Sequence, residues 1–144
     1  MITFAMVLCN ILPTAVTEDF LDRVAIIESG FNHLAVGDNG AARGAYQMHE
    51  AAWTDAMTEL KRDWPYRQDA FHAEKSRMAC RAYFQIIERR LIKDGYVPTR
   101  ERLYMCYNIG YHDAVYWYKL NPDHKRIHVV RRSILKKAKF YLQK

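Results

Sequence analysis

The stretch TEDFLDRVAIIESGFN, residues 17–32, decides how this chain is read. Thr17 is a good helix N-cap, Glu18 and Asp19 place acids in the first turn, and apolar Phe20, Leu21, Val24 and Ile27 recur at helical spacing. Gly30 stops the helix. Glu28 is thereby left in the last turn, where an apolar face runs out into a glycine-bearing loop. A carboxyl partly desolvated by such neighbours keeps its proton to higher pH and can donate it to a leaving-group oxygen near neutrality. Taken alone, Glu28 reads as an ordinary solvated helix glutamate.

Working outward, residues 1–16 (MITFAMVLCNILPTAV) are uncharged and largely apolar, the length of a signal-peptide core and too short for a membrane span. Without a basic flank they read either as a signal peptide or as a buried N-terminal helix. Residues 17–144 form the remaining domain. On the other side, VGDNGAARG (residues 36–44) holds three glycines and an Asp38-Asn39-Gly40 turn, which predicts a loop or a short irregular hairpin. Helical patterning returns over 51–60, breaks at Trp64-Pro65, and runs over 70–93 to Gly95 and Pro98; Thr99 opens another helix through Tyr107. Residues 114–120 continue in this style before Asn121-Pro122. In the last helix, Ile127, Val130, Ile134, Ala138 and Tyr141 are expected on one face and the Lys/Arg residues on the other.

The composition is that of one soluble globular domain. Half the 144 residues are hydrophobic and 26% are charged, which excludes a disordered tail, and six glycines with four prolines exclude a collagen-like chain. Three cysteines cannot make a disulfide-dense scaffold; Cys80 and Cys106 can pair but nothing requires it. The net charge of +6 is unevenly placed, with +8 from Lys119 onward and −2 before it. A basic tail helix suits a polyanion, whether wall polymer, nucleic acid or an anionic membrane, or is a solvated helix face. His124 and His128 have i,i+4 spacing but lack a third metal ligand, so no metal or other cofactor is expected.

Three segments in order narrow the chemistry: Glu28-Ser29-Gly30-Phe31-Asn32, then Gly44-Ala45-Tyr46-Gln47-Met48, then Tyr107-Asn108-Ile109-Gly110. Together they resemble the lysozyme-like superfamily, and in particular the lytic transglycosylase and goose-type lysozyme pattern of E-S, G-x-x-Q and Y-N-x-G. The resemblance runs from Thr17 to Tyr118. Ala45-Tyr46 stands where Leu-Met is usual, Cys106 and Ile109 where Ala is usual, and His33 where Pro is frequent; none of these removes a reactive group. The stretch from Gly44 through Trp53 to Asp55 is also similar to invertebrate-type lysozymes, which brings Asp38, ten residues after Glu28, into view as a second carboxylate.

The resemblance implies a mainly α, lysozyme-like α+β domain with a short irregular or β segment near residues 36–48. It implies Glu28 as general acid, Asp38 as second carboxylate, Tyr107 hydrogen-bonded near Glu28, Ser29 orienting the glutamate or an acetamido group, and Gln47 and Asn108 holding N-acetyl and hydroxyl groups of the substrate. That substrate would be the glycan strand of peptidoglycan, cleaved at N-acetylmuramic acid by a monomer acting in the periplasm or the extracellular wall. Trp53, Trp64, Tyr66, Tyr111, Trp117 and Tyr118 are candidates to stack on sugar rings.

Glycoside cleavage needs an acid over the leaving oxygen and a group that stabilises an oxocarbenium-like state. If Asp38 is that group, hydrolysis is expected, and the muramidase reading is the main one. If the substrate's own acetamido group does it, the muramyl 6-hydroxyl can attack and give an anhydro product, as in a lytic transglycosylase. An inactive wall-binding module is a further reading, opposed by the intact Glu28, Gln47 and Tyr107. A nucleic-acid binder rests on charge alone and is not expected. The basic last helix, outside the three segments, is expected to set wall affinity and not chemistry.

Overall fold

The computed structural model describes residues 13–143. The expectation of a signal peptide or N-terminal helix over residues 1–16 falls, for residues 1–12, outside the described residues. The next four are held against the body. Thr14 Oγ1 donates to the Glu88 carboxylate at 2.9 Å, the Ala15 N–H reaches the same group at 2.9 Å, and Val16 is buried.

Helix α1 spans Glu18–Ser29 and is capped as its sequence demands: the Thr17 side chain accepts from the Phe20 N–H, and Gly30, at φ 64°, lets the chain turn back so that its own and the Phe31 N–H bond the last helical carbonyls. Its apolar stripe of Phe20, Leu21, Val24 and Ala25 is completely buried. The acidic first turn is clamped from outside, where Arg77 bridges Glu18 and Asp22 at 2.5 and 2.7 Å.

Beyond α1 the glycine-rich stretch forms β1 (Val36–Gly37), a 3-10 turn (Asp38–Gly40), β2 (Ala42–Arg43) and β3 (Met48–His49). The sheet is antiparallel, with Val36 opposite Arg43 and Ala42 opposite His49. A third strand is thus added to the expected hairpin. At Gly44 (φ +76°) a Cβ would stand 2.0 Å from the Ala70 carbonyl oxygen, so only glycine lets the hairpin lie against the loop before α4.

The helices follow as α2 (Glu50–Leu60), a single turn α3 (Tyr66–Asp69), α4 (Ala73–Lys93), α5 (Arg100–Ile109), a π-turn (Asp113–Trp117) and α6 (Val129–Leu142). The architecture is mainly α with one small sheet. Helix α4 starts three residues later than its pattern predicts, because Ala70 closes the turn of α3 and the His72 side chain caps α4 by accepting from the Lys75 N–H. It is the central element and packs against α1, α2 and α5. Phe84 at its middle meets Phe20 edge-on (4.8 Å) and lies flat on Tyr107 (4.6 Å). Cys80 and Cys106 are buried free thiols.

Two expectations need correction. In α6 the buried residues are Leu135, Ala138 and Leu142, whereas Val130 is 58% exposed. Ile127 is buried but precedes the helix, which starts only after the His128 cap; Ala138 is buried and Ile134 and Tyr141 pack partly buried against the core as expected, so the face is offset toward Leu135 and Leu142 and fails only at Val130. Three of the six proposed sugar-stacking aromatics are structural: Trp53 is buried with its indole N–H on the Trp64 carbonyl (2.8 Å), Tyr66 donates to Ala41 and Met48 carbonyls, and Tyr111 bonds Asp94 at 2.7 Å. Trp117 is exposed, and none of the six lines the cleft described next.

Candidate active site

A cleft of about 570 Å³ opens between the end of α1, the small sheet, the C-terminal end of α5 and the first turns of α6. Glu28, Gln47, Tyr107 and Asn108, drawn from all three motif segments, line it together with Asp38 from the turn between the first two. Glu28 enters from the last turn of α1, with its carboxylate accepting a 2.6 Å hydrogen bond from the Tyr104 hydroxyl. Burial pushes the Glu28 pKa up to about 7; the negative charge of Asp38 adds to the rise, and the Tyr104 bond, His49 and Arg131 oppose it. A carboxyl poised this way is an acid and a base at one pH.

Tyr107 makes its side-chain hydrogen bond away from the Glu28 carboxylate. Its hydroxyl donates to the Tyr46 carbonyl at 2.5 Å, fastening α5 to the segment before Gln47. Tyr104, one helical turn earlier on the same face of α5, reaches across to α1 instead, and its buried hydroxyl is pushed far up in pKa, so it stays a donor. The i,i+3 pair Tyr104/Tyr107 in LYMCYN was the signal for it in the sequence. The Asn108 Oδ1 is buried with no hydrogen-bond partner among the described residues.

Ser29 lies one residue behind the cleft. Its hydroxyl donates to the Ala45 carbonyl at 2.7 Å and accepts from the Asn32 N–H, so it ties the end of α1 to the loop that carries Gln47, rather than turning toward the glutamate carboxylate. Gln47 sits at φ 47°, a left-handed backbone that costs a non-glycine residue about 1 kcal/mol or more, and its amide N–H donates to the Gly44 carbonyl at 2.9 Å. Its Oε1 lies over Gly37, where a Cβ would come within 2.3 Å. Asp38 is on the turn at the cleft mouth, its side chain 66% exposed, with Oδ2 2.7 Å from His49 Nε2.

Sequence reasoning also placed the last helix outside the site, and the structure puts it in the cleft wall. Val130, Arg131 and Ile134 line the cleft, and the Arg131 guanidinium donates to the Asn108 carbonyl. The histidine pair has a local role, His128 capping α6 and His124 accepting from the Arg126 N–H.

A family model described as the transglycosylase SLT domain matches residues 11–130. The chain belongs to the transglycosylase SLT family. The SLT domain is a member of the lysozyme-like superfamily, and this makes the chain a glycan-cleaving enzyme that acts on peptidoglycan. Of the two product chemistries expected, the family supports the transglycosylase alternative better than the muramidase reading. No curated protein matches the chain. Among the described residues of this SLT domain, no helix is long and apolar enough to cross a membrane.

Proposed function

We propose that the chain is a lytic transglycosylase in which Glu28 serves in turn as acid and base. The observation that carries this reading is the single carboxyl held near pKa 7 in the cleft, its companion Asp38 being solvent-facing and engaged with His49. With its proton on, Glu28 protonates the glycosidic oxygen as the bond to C1 of N-acetylmuramic acid breaks. The substrate's acetamido oxygen closes on C1 and takes up the positive charge, so no second enzyme carboxylate is needed. The Glu28 carboxylate then removes the proton from the muramyl 6-hydroxyl, O6 attacks C1, and the acetamido group is released. The product is a 1,6-anhydro end, Glu28 is reprotonated, and no water is consumed.

Support for the remaining roles comes from groups with spare capacity. The unpartnered Asn108 Oδ1 suits an amide N–H of the substrate, and Gln47, held by Gly44, presents its amide in the cleft. Tyr104 keeps the Glu28 carboxyl in one orientation. Mass analysis of digested peptidoglycan tests the reading: anhydro-muramyl ends are expected, and reducing muramyl ends would return the assignment to hydrolysis with Asp38 as second carboxylate.

A further inference from the structure

Arg131 is, apart from His49, the only basic side chain among the described residues lining the cleft. His49 is engaged by Asp38, whereas Arg131 forms no ion pair among the described residues. One of its N–H groups goes to the Asn108 carbonyl, which fixes the guanidinium beside the residue whose Oδ1 is unpartnered. Its charge also bears on Glu28, so it stands within electrostatic reach of the reacting bond. A guanidinium carries five donors in a planar fork, and four remain for a ligand. The neighbouring Val130 and Ile134 provide apolar contact on the same wall.

Resting on the peptidoglycan reading above, we propose that Arg131 is a carboxylate-binding site, which holds the acid group carried on the lactyl arm of a muramic acid residue. A carboxylate matches the fork bidentately and supplies the ion-pair partner that Arg131 lacks among the described residues. Two sources share this chemistry: the lactyl carboxylate of a peptide-free strand, and a carboxylate of the stem peptide on a substituted strand. A chitin chain has neither. Arg131 thereby selects muramic acid-containing strands over plain N-acetylglucosamine polymers, a discrimination that Gln47 and Asn108 cannot supply because both sugars carry the acetamido group.

The test is calorimetric titration of E28Q protein, with and without R131Q, against three probes: chitohexaose, peptide-free glycan strand fragments, and the same fragments bearing stem peptides. R131Q is expected to weaken binding of a carboxylate-bearing probe about tenfold and to leave chitohexaose unchanged. The probe that loses affinity identifies the source, and R131K should recover only part of the loss. Equal weakening of all three probes, or of none, in protein that melts normally overturns the assignment. Wild-type and R131Q digests of sacculi run alongside separate the two claims. Anhydro products with unaltered strand preference overturn the Arg131 site alone, while wild-type protein that releases no glycan fragments overturns the underlying reading and the site together.

Discussion

The Tyr104 hydroxyl sits 2.6 Å from Glu28 Oε1, a bond between helices α5 and α1 made by residues 76 positions apart. Because the hydroxyl donates, it favours the carboxylate form and restrains the rise that burial imposes on Glu28. Tyr104→Phe keeps the buried ring and removes the donor. The Glu28 pKa should then climb above about 7, and the alkaline limb of the pH–rate profile should move up with it while kcat falls several-fold. An unshifted limb in folded protein would show that Tyr104 does not govern Glu28.

Glu28→Gln should lower wall cleavage about 100-fold or more, since the carboxamide has no proton to transfer. Its stability should move the other way. The folded pKa is about 7 against 4.5, so the folded state binds the proton more tightly and wild-type stability falls as pH rises from about 4.5 to 7, by about 3 kcal/mol in all. The variant lacks this penalty. Melting curves should place E28Q above wild type at pH 8 and level with it near pH 4.

Asp38→Asn separates the two chemistries. With substrate assistance the change should cost less than about fivefold, the products keeping anhydro ends; a second catalytic carboxylate would demand a loss of about 100-fold. Kinetics on soluble strands with product mass analysis distinguish them.

Two glycine substitutions should part stability from function. Gly44→Ala drives a Cβ into the Ala70 carbonyl at a left-handed φ and should cost about 2 kcal/mol or more by chemical denaturation. Gly37→Ala clashes with the side-chain end of Gln47 and with no backbone, at a φ of −129° that alanine accepts, so melting should barely change while KM rises several-fold as Gln47 is displaced.

Outside the cleft, Lys136 and Lys137 are exposed on α6. Neutralising both to Gln should reduce activity on whole walls, and make it less sensitive to added salt, while sparing short soluble strands. Equal losses on both substrates would place these lysines in the scaffold of the site.

Local rules determined a good deal by themselves. Caps at Thr17 and Thr99, the stop at Gly30 and the apolar stripe of α1 are read within one turn of chain, and they recur in the structure with their hydrogen bonds made. Five of the six residues singled out from the sequence line the cleft, because motif residues at helix ends and turns have little freedom in where they point. What the sequence could not decide was set by contacts between elements far apart in the chain. Tyr104 and Tyr107 are equivalent in local pattern, and only the crossing of α5 over α1 and the sheet assigns one to Glu28 and the other to Tyr46. In α6 the expected Ala138, Ile134 and Tyr141 do meet the core, but it is packing against α1 and α5 that buries Leu135 and Leu142 most deeply and leaves Val130 and Arg131 on the cleft wall. The elevated pKa of Glu28 is of the same kind, since desolvation is a property of everything packed around a carboxyl and not of its neighbours in sequence.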